Sequence, residues 1–134
     1  MAAFGQDDLA LLRGPNYAQL VTLNPDGSPQ VTVLWVDADE HHVLVNTAEG
    51  RTKDRNLRRD PRAAVSVVKE GDWYRWLSVT GTAVDRVTGP EADRHIDSLS
   101  RRYDGEPWTP IDGQVRVLYR IRPDRIVRYP DRRR

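Results

Sequence analysis

The sequence predicts a mainly β domain with a few helices, folded as a small antiparallel Greek-key-like barrel or curled sheet of six to seven strands. Apolar runs of strand length recur along the chain, most with residues facing alternate sides. Short polar turns join most of them, which favours antiparallel pairing. Helical segments do not separate successive strands, as a doubly wound parallel sheet would require.

A helix signal opens the chain, with Asp7 or Asp8 as cap before Leu9, Leu11 and Leu12, and Gly14-Pro15-Asn16 ends it. Tyr17–Leu23 reads as a strand. Asn24-Pro25-Asp26-Gly27-Ser28-Pro29 is a turn, because proline fixes φ and Asp-Gly tolerates positive φ. Gln30–Val36 completes a hairpin; Val31, Val33 and Trp35 share one face, and Gln30, Thr32 and Leu34 the other. A polar turn is expected over Asp37–His41, then a strand over His42–Thr47. Thr52–Asp60 reads as a short helix closed by Pro61. Ala63–Val68 and Arg75–Asp85 are strands, the second the longest, with Gly81 marking a bulge or bend. Pro90–Tyr103 is a helix whose Ile96, Leu99 and Tyr103 pack on one side. Val115–Ile121 is the last main strand, and Arg125–Tyr129 adds a short one. A single domain over 1–134 is expected, with 130–134 as a frayed tail.

Composition removes several function classes. The chain has 134 residues and no cysteine, so a Cys-ligated zinc, an iron–sulfur cluster and a thiol nucleophile are excluded. Met1–Asp8 lacks a basic stretch followed by a long apolar run, and a cytoplasmic protein without membrane contact is expected. The net charge is only +1, and no aromatic stacking motif accompanies the C-terminal arginines, so no nucleic-acid partner is expected. Adjacent His41 and His42 point to opposite sides of a strand and make a poor metal pair; no metal site is expected. No nucleophile elbow, zinc-protease or Walker motif is present, so catalysis is expected to rest on a bound cofactor.

The strongest local feature is Asn46–Arg59. A strand ends, Gly50 follows, and a helix starts at Thr52, a candidate cap. Free backbone N–H groups at a helix start favour an anion, and Arg51 and Lys53 bring two cations there. Asn56 lies one turn beyond Lys53. These residues form a candidate phosphate cradle. The same string also reads as a solvated basic helix countered by Asp54 and Asp60, which composition alone favours. A second feature is the Gln30–Trp35 strand beside Val43–Thr47. Gln30, Thr32, Asn46 and Thr47 offer hydrogen bonds on an apolar wall suited to a flat aromatic cofactor, though each is also an ordinary strand residue. The aromatics Trp35, Trp73, Tyr74 and Trp76 suit a ligand, a subunit interface or the core, with core expected for at least two.

These features occur in an order that resembles a known family. Asp26–Trp35 resembles its second-strand motif. Val45–Ala63, with its Arg-x-Lys-x-x-Asn-Leu-x-x-Asp-Pro string, resembles its phosphate-binding signature. Trp76–Ala83 resembles its long strand. The family it resembles is that of the pyridoxamine-5′-phosphate-oxidase-like, FMN-binding split β-barrel proteins, and within it the flavin/deazaflavin oxidoreductase branch, a resemblance that implies coenzyme F420, with FMN as the alternative. The resemblance runs from about Leu9 to Tyr129. It implies a homodimer with the cofactor in a groove between subunits. Arg51, Lys53 and Asn56 would hold its phosphate. Gln30, Val31, Thr32, Val33 and Leu34, with Val45, Asn46 and Thr47, would line the ring and its ribityl-like chain. Trp76, Leu77, Ser78 and Val79 would approach from the partner. The C-terminal substrate motif of pyridoxamine oxidase is not recognisable, so that substrate is not expected. The expected function is an F420-dependent reductase transferring hydride to an activated double bond of a small organic substrate. The alternatives are an FMN-binding oxidoreductase and a non-catalytic carrier or sensor of a planar cofactor. No catalytic side chain is assigned.

Overall fold

The computed structural model describes residues 2–130, so the tail expected to fray lies, past Pro130, outside the described residues. Helix α1 (Gln6–Arg13) precedes β1 (Ala18–Leu23), β2 (Pro29–Leu34), β3 (Val36–Ala38) and β4 (Val43–Ala48). Helix α2 (Thr52–Arg59), β5 (Arg62–Lys69), β6 (Asp72–Val87), α3 (Pro90–Asp104) and β7 (Arg116–Tyr129) follow. No helix among the described residues is long and apolar enough to cross a membrane.

The expected elements are present, with four local differences. Helix α1 is capped by Gly5, whose N–H donates to Asp8 at 2.8 Å; Asp8 is the third helical residue, not the cap. The expected strand Gln30–Val36 breaks at Trp35, and the first part of the expected polar turn is β3, with Asp37 and Ala38 buried. Polar Asp37 enters the interior because His95 and Arg102 satisfy it there, partners far away in sequence. The last two expected strands are one, since β7 runs unbroken through Pro123. Pro123 faces Gly81, where β6 shifts register, so the missing proline N–H falls at a bulge.

All pairings are antiparallel, in the order β2-β1-β5-β6-β7-β4-β3. The edge strands β2 and β3 are consecutive in sequence and joined only by Trp35. The sheet therefore curls until its two ends meet at that residue. Trp35 stacks on Tyr103 with ring centroids 5.4 Å apart and meets Trp108 edge-on at 6.5 Å. Leu20, Val36, Val43, Val45, Val65, Leu77, Val79 and Ile121 fill the interior. Leu12 of α1 and Leu57 of α2 pack against the same core. A smaller cluster of Leu44, Ala92 and Leu118 seats α3 on the outside of β4 and β7, which buries β4 on both faces.

The outside of the remaining strands is open. Register places Val33, Gln19, Ser66, Ser78 and Val127 in one row across β2, β1, β5, β6 and β7. Val31, Val21, Ala64, Thr80 and Arg125 form the next row. Val68, Trp76 and Tyr129 extend the face, with Trp76 stacked on Tyr129 at 6.0 Å. Val33 is 64% exposed, and Val31, Val68, Val127 and Tyr129 are exposed too. Arg125 is the one charged residue in these rows. Trp73 and Tyr74, at the β5–β6 turn, are exposed rather than core, while Trp35 and Trp76 are half-buried.

Candidate functional site

Strand β4 ends at Ala48, the chain turns through Gly50 at φ +88°, and α2 begins. Positive φ at this turn is what glycine supplies without strain. Arg51, not Thr52, is the N-cap, and no side chain caps the helix. The start of α2 thus keeps backbone donors available to an anion.

Asp54 fixes this turn. It is fully buried, at 0% exposure, where the solvated-helix reading placed it at the surface. Its carboxylate accepts the Gly50 N–H at 3.0 Å, the Tyr119 hydroxyl at 2.5 Å and the Arg86 Nε–H at 3.0 Å. Burial by itself would raise the Asp54 pKa, but these donors outweigh it and hold it below the usual carboxylate range. Burial first, and then the hydrogen bond to Asp54, drives the Tyr119 hydroxyl pKa up. Asp60, by contrast, does sit at the surface as a counter-charge, paired with Arg62 at 2.7 Å and lowered to about 2 by that pair.

Arg51 and Lys53 make no ion pair among the described residues. A third cation joins them. Arg116, at the start of β7, is 8% exposed and lies close enough for its charge to bear on Lys53. Burial, reinforced by the Arg51 and Arg116 charges, lowers the Lys53 pKa. Burial and then the Arg51 charge lower Arg116 to about 10, with Asp93 opposing. Three neighbouring cations without a paired carboxylate favour an anionic ligand electrostatically. Arg116 escaped the sequence reading, because an arginine at a strand start carries no local signal. Its position beside α2 is created by the pairing of β4 with β7.

The other sequence-predicted residues divide by face. Asn56 is 2% exposed; its Nδ2 donates to Thr22 and Asn24 at 3.0 and 3.1 Å, and its Oδ1 accepts from Arg59 at 2.9 Å. Its polar atoms are thus occupied in binding α2 to the β1–β2 hairpin. Val45, Leu77 and Val79 are core residues, so only their backbone can reach a ligand. Trp76 and Ser78 lie on the open outer face, as do Val31 and Val33. Asn46 faces α3, where it donates to the Ala92 carbonyl at 3.0 Å and accepts from Arg116 Nε at 3.0 Å. Thr47, its neighbour, points the other way. Its hydroxyl and that of Thr32 are buried with no partner. Gln30 accepts from Thr22 Oγ1 at 2.9 Å. Leu34 lines a recess of about 260 Å³ with Tyr17, Val33, Trp35, Asn46, Arg51, Ile96, Leu99, Trp108 and Arg116.

A larger groove, of about 610 Å³, lies between α1 and the ends of β6 and β7. Its charged lining is paired internally, with Asp8 bound to Arg128 at 2.8 and 3.0 Å. The unpaired cations therefore make the smaller recess, which Arg51 and Arg116 line, the stronger candidate. Among the described residues no cluster of histidines and carboxylates could hold a metal ion. Tyr103, one of the tyrosines near the site, has its hydroxyl taken up by Asn16 and Val36.

Comparison with known proteins agrees with this architecture. A family model described as pyridoxamine 5′-phosphate oxidase matches residues 6–128. The F420H2-dependent biliverdin reductase of Mycobacterium tuberculosis is 30% identical over 123 residues, covering 90% of this chain and 85% of that protein. The solved structure of an F420 reductase superposes with a TM-score of 0.78 and 35% identity, over 88% of this chain and 94% of the other. A conserved hypothetical protein from Mycobacterium tuberculosis superposes with a TM-score of 0.72 and 26% identity, over 94% of this chain and 84% of that one. The split-barrel fold expected from the sequence is the one found, and the chain belongs to the pyridoxamine 5′-phosphate oxidase family.

Proposed function

We propose that this protein is an F420-dependent reductase that works as a homodimer on a small organic substrate. The observation that carries the reading is the set of cations at the start of α2: Arg51, Lys53 and Arg116, without a paired carboxylate among the described residues. The anionic tail of a flat redox cofactor suits this set. The names of two relatives, one 30% and one 35% identical, point to F420 in preference to FMN.

When bound, reduced deazaflavin supplies a hydride for an activated double bond, such as an enone or related conjugated system. The chain's own part is binding and placement. Arg51 grips phosphate oxygens through its planar fork, Lys53 adds a point charge, and free α2 N–H groups complete the cradle. Asp54 holds the turn that carries them, and Asn56 braces the helix from behind. Leu34 and Asn46 line the recess beside the cradle, Val31 lies on the face that meets a second copy, and Val33 borders both. Of the four β6 residues expected to approach from a partner, Trp76 and Ser78 carry side chains on that contact face.

A fluorescence titration with F420, and in parallel with FMN, tests the reading. Saturable binding of F420, tighter than of FMN, is expected. Saturation by neither ends the proposal. Saturation by F420 with no turnover across a panel of enones and quinones would convert it to a carrier.

A further inference from the structure

Arg116 is a buried cation whose partners are all neutral. Its Nε donates to Asn46 Oδ1 at 3.0 Å, and its Nη1 donates to Gln114 Oε1 at 3.0 Å. Its guanidinium carbon lies 5.0 Å from the centre of the Trp108 ring. Nη2 has no acceptor among the described residues. Asp93 is near enough to act on Arg116 through its charge but forms no ion pair with it. A buried charge left in this state is costly unless something else completes it.

The chain nevertheless holds Arg116 in one geometry. Asn46 cannot turn, because its Nδ2 also donates to the Ala92 carbonyl and faces His95 Nδ1 at 3.1 Å. His95 Nδ1 therefore acts as the acceptor, and its Nε2–H points to Asp37 at 3.2 Å. Arg102 fixes the other oxygen of Asp37 at 2.9 Å. A continuous polar chain thus runs beneath α3 and ends on a guanidinium with an open donor. Arg116 stands between two cavities: the 260 Å³ recess, lined also by Tyr17, Trp35 and Trp108, and one of about 320 Å³ on the side of Gln114, where Asp93 and Asp97 already supply negative charge, so the recess is the side that lacks an anion.

We propose that Arg116 is an anion-binding residue, and that this recess takes a carboxylate-bearing arm of a planar ligand. The inference rests on the F420 reading for the neighbouring cradle, because Arg51 lines the recess too. Two sources offer such a carboxylate: the acidic tail of the cofactor, or a side arm of the substrate. Aromatic walls suit a conjugated group, and the guanidinium fork matches a carboxylate in two hydrogen bonds.

The test measures binding by quenching of tryptophan fluorescence in the wild type, Arg116→Gln and Arg116→Lys. The probes are F420, biliverdin and biliverdin dimethyl ester. Glutamine can still hydrogen-bond Asn46, and far-ultraviolet circular dichroism checks that each variant folds. Arg116→Gln is expected to weaken one carboxylate ligand at least about tenfold, the usual reach of a charge-assisted contact. A loss confined to F420 assigns the arm to the cofactor. A loss confined to biliverdin assigns it to the substrate, and then the dimethyl ester binds wild type about tenfold more weakly than the diacid. Affinities within about twofold of wild type for both ligands in both variants overturn the proposal. If wild type binds biliverdin through Arg116 but never F420, the F420 reading fails while this one stands. Wild type binding neither ligand overturns both.

Discussion

Lys53 and Asp54 are adjacent in sequence, and their environments set them opposite tasks. Lys53 is half-buried, near two other cations, and has no carboxylate partner. Its charge contributes little to the fold. Lys53→Ala should therefore weaken F420 binding at least about tenfold, since a charge-assisted contact is worth roughly 1.5–3 kcal/mol. The melting temperature without ligand should stay nearly unchanged; a loss of apo stability with intact affinity would make Lys53 structural. Asp54 works the other way. Asp54→Asn removes the buried carboxylate from Arg86, which keeps Glu49 at 3.3 Å, and should cost about 1–3 kcal/mol in urea denaturation. Its folded-state pKa is depressed below 3.8, so its contribution is complete well above that value. It is lost as pH falls through 3.8 toward the folded value. Wild type should lose stability in that acid window more steeply than Asp54→Asn. Parallel acid profiles would show that Asp54 is not held ionised.

At the scale of elements, β6 shows how one residue shapes a strand. Its register shifts at Thr80/Gly81, and a Cβ at position 81 would collide with the Arg122 carbonyl oxygen and lie 2.9 Å from Ile121 Cγ2. Gly81→Ala should destabilise the protein by about 1–3 kcal/mol, the usual cost of overpacking, with F420 affinity per folded molecule preserved. An unchanged melting temperature would show that β7 can move aside. Gly81 was legible as a bend because a lone glycine inside an apolar run has few other uses. The strand-turn-helix of β4 and α2 was legible for the same local reasons: an apolar run, a glycine, then polar residues closed by proline. The β2–β3 break was not. Val31 to Val36 is uniformly strand-like, and only the stacking of Trp35 on Tyr103 and the burial of Asp37 against α3 reveal the corner. Local pattern carries no information about partners in α3. The same limit hid Asp54, Arg86 and Tyr119, whose contacts join α2, β6 and β7.

For the whole molecule, the open outer face of β2, β1, β5, β6 and β7 is the main unsatisfied surface. Its exposed valines and near-absence of charge suit contact with a second copy. Val33→Glu places a charge in the middle of the β2 edge of that face. Sedimentation should show a dimer for wild type and a folded monomer for the variant. A monomeric wild type, or a variant still dimeric, would remove this face from the argument. The barrel itself was legible because strand spacing and turn chemistry are local. The assembly of Arg51, Lys53 and Arg116 was legible in its first two members and not in its third, which arrives through a pairing of distant strands.

The join at Trp35 has one more consequence. Because the outermost strands are successive stretches of backbone, covalent continuity, and not a further ladder of hydrogen bonds, keeps the ring shut. A chain rewired to begin and end at that tryptophan would retain every pairing, yet its two unladdered rims would be free to part, each then a template for the rim of a neighbouring molecule. One peptide link thus stands between a discrete particle and a growing ribbon.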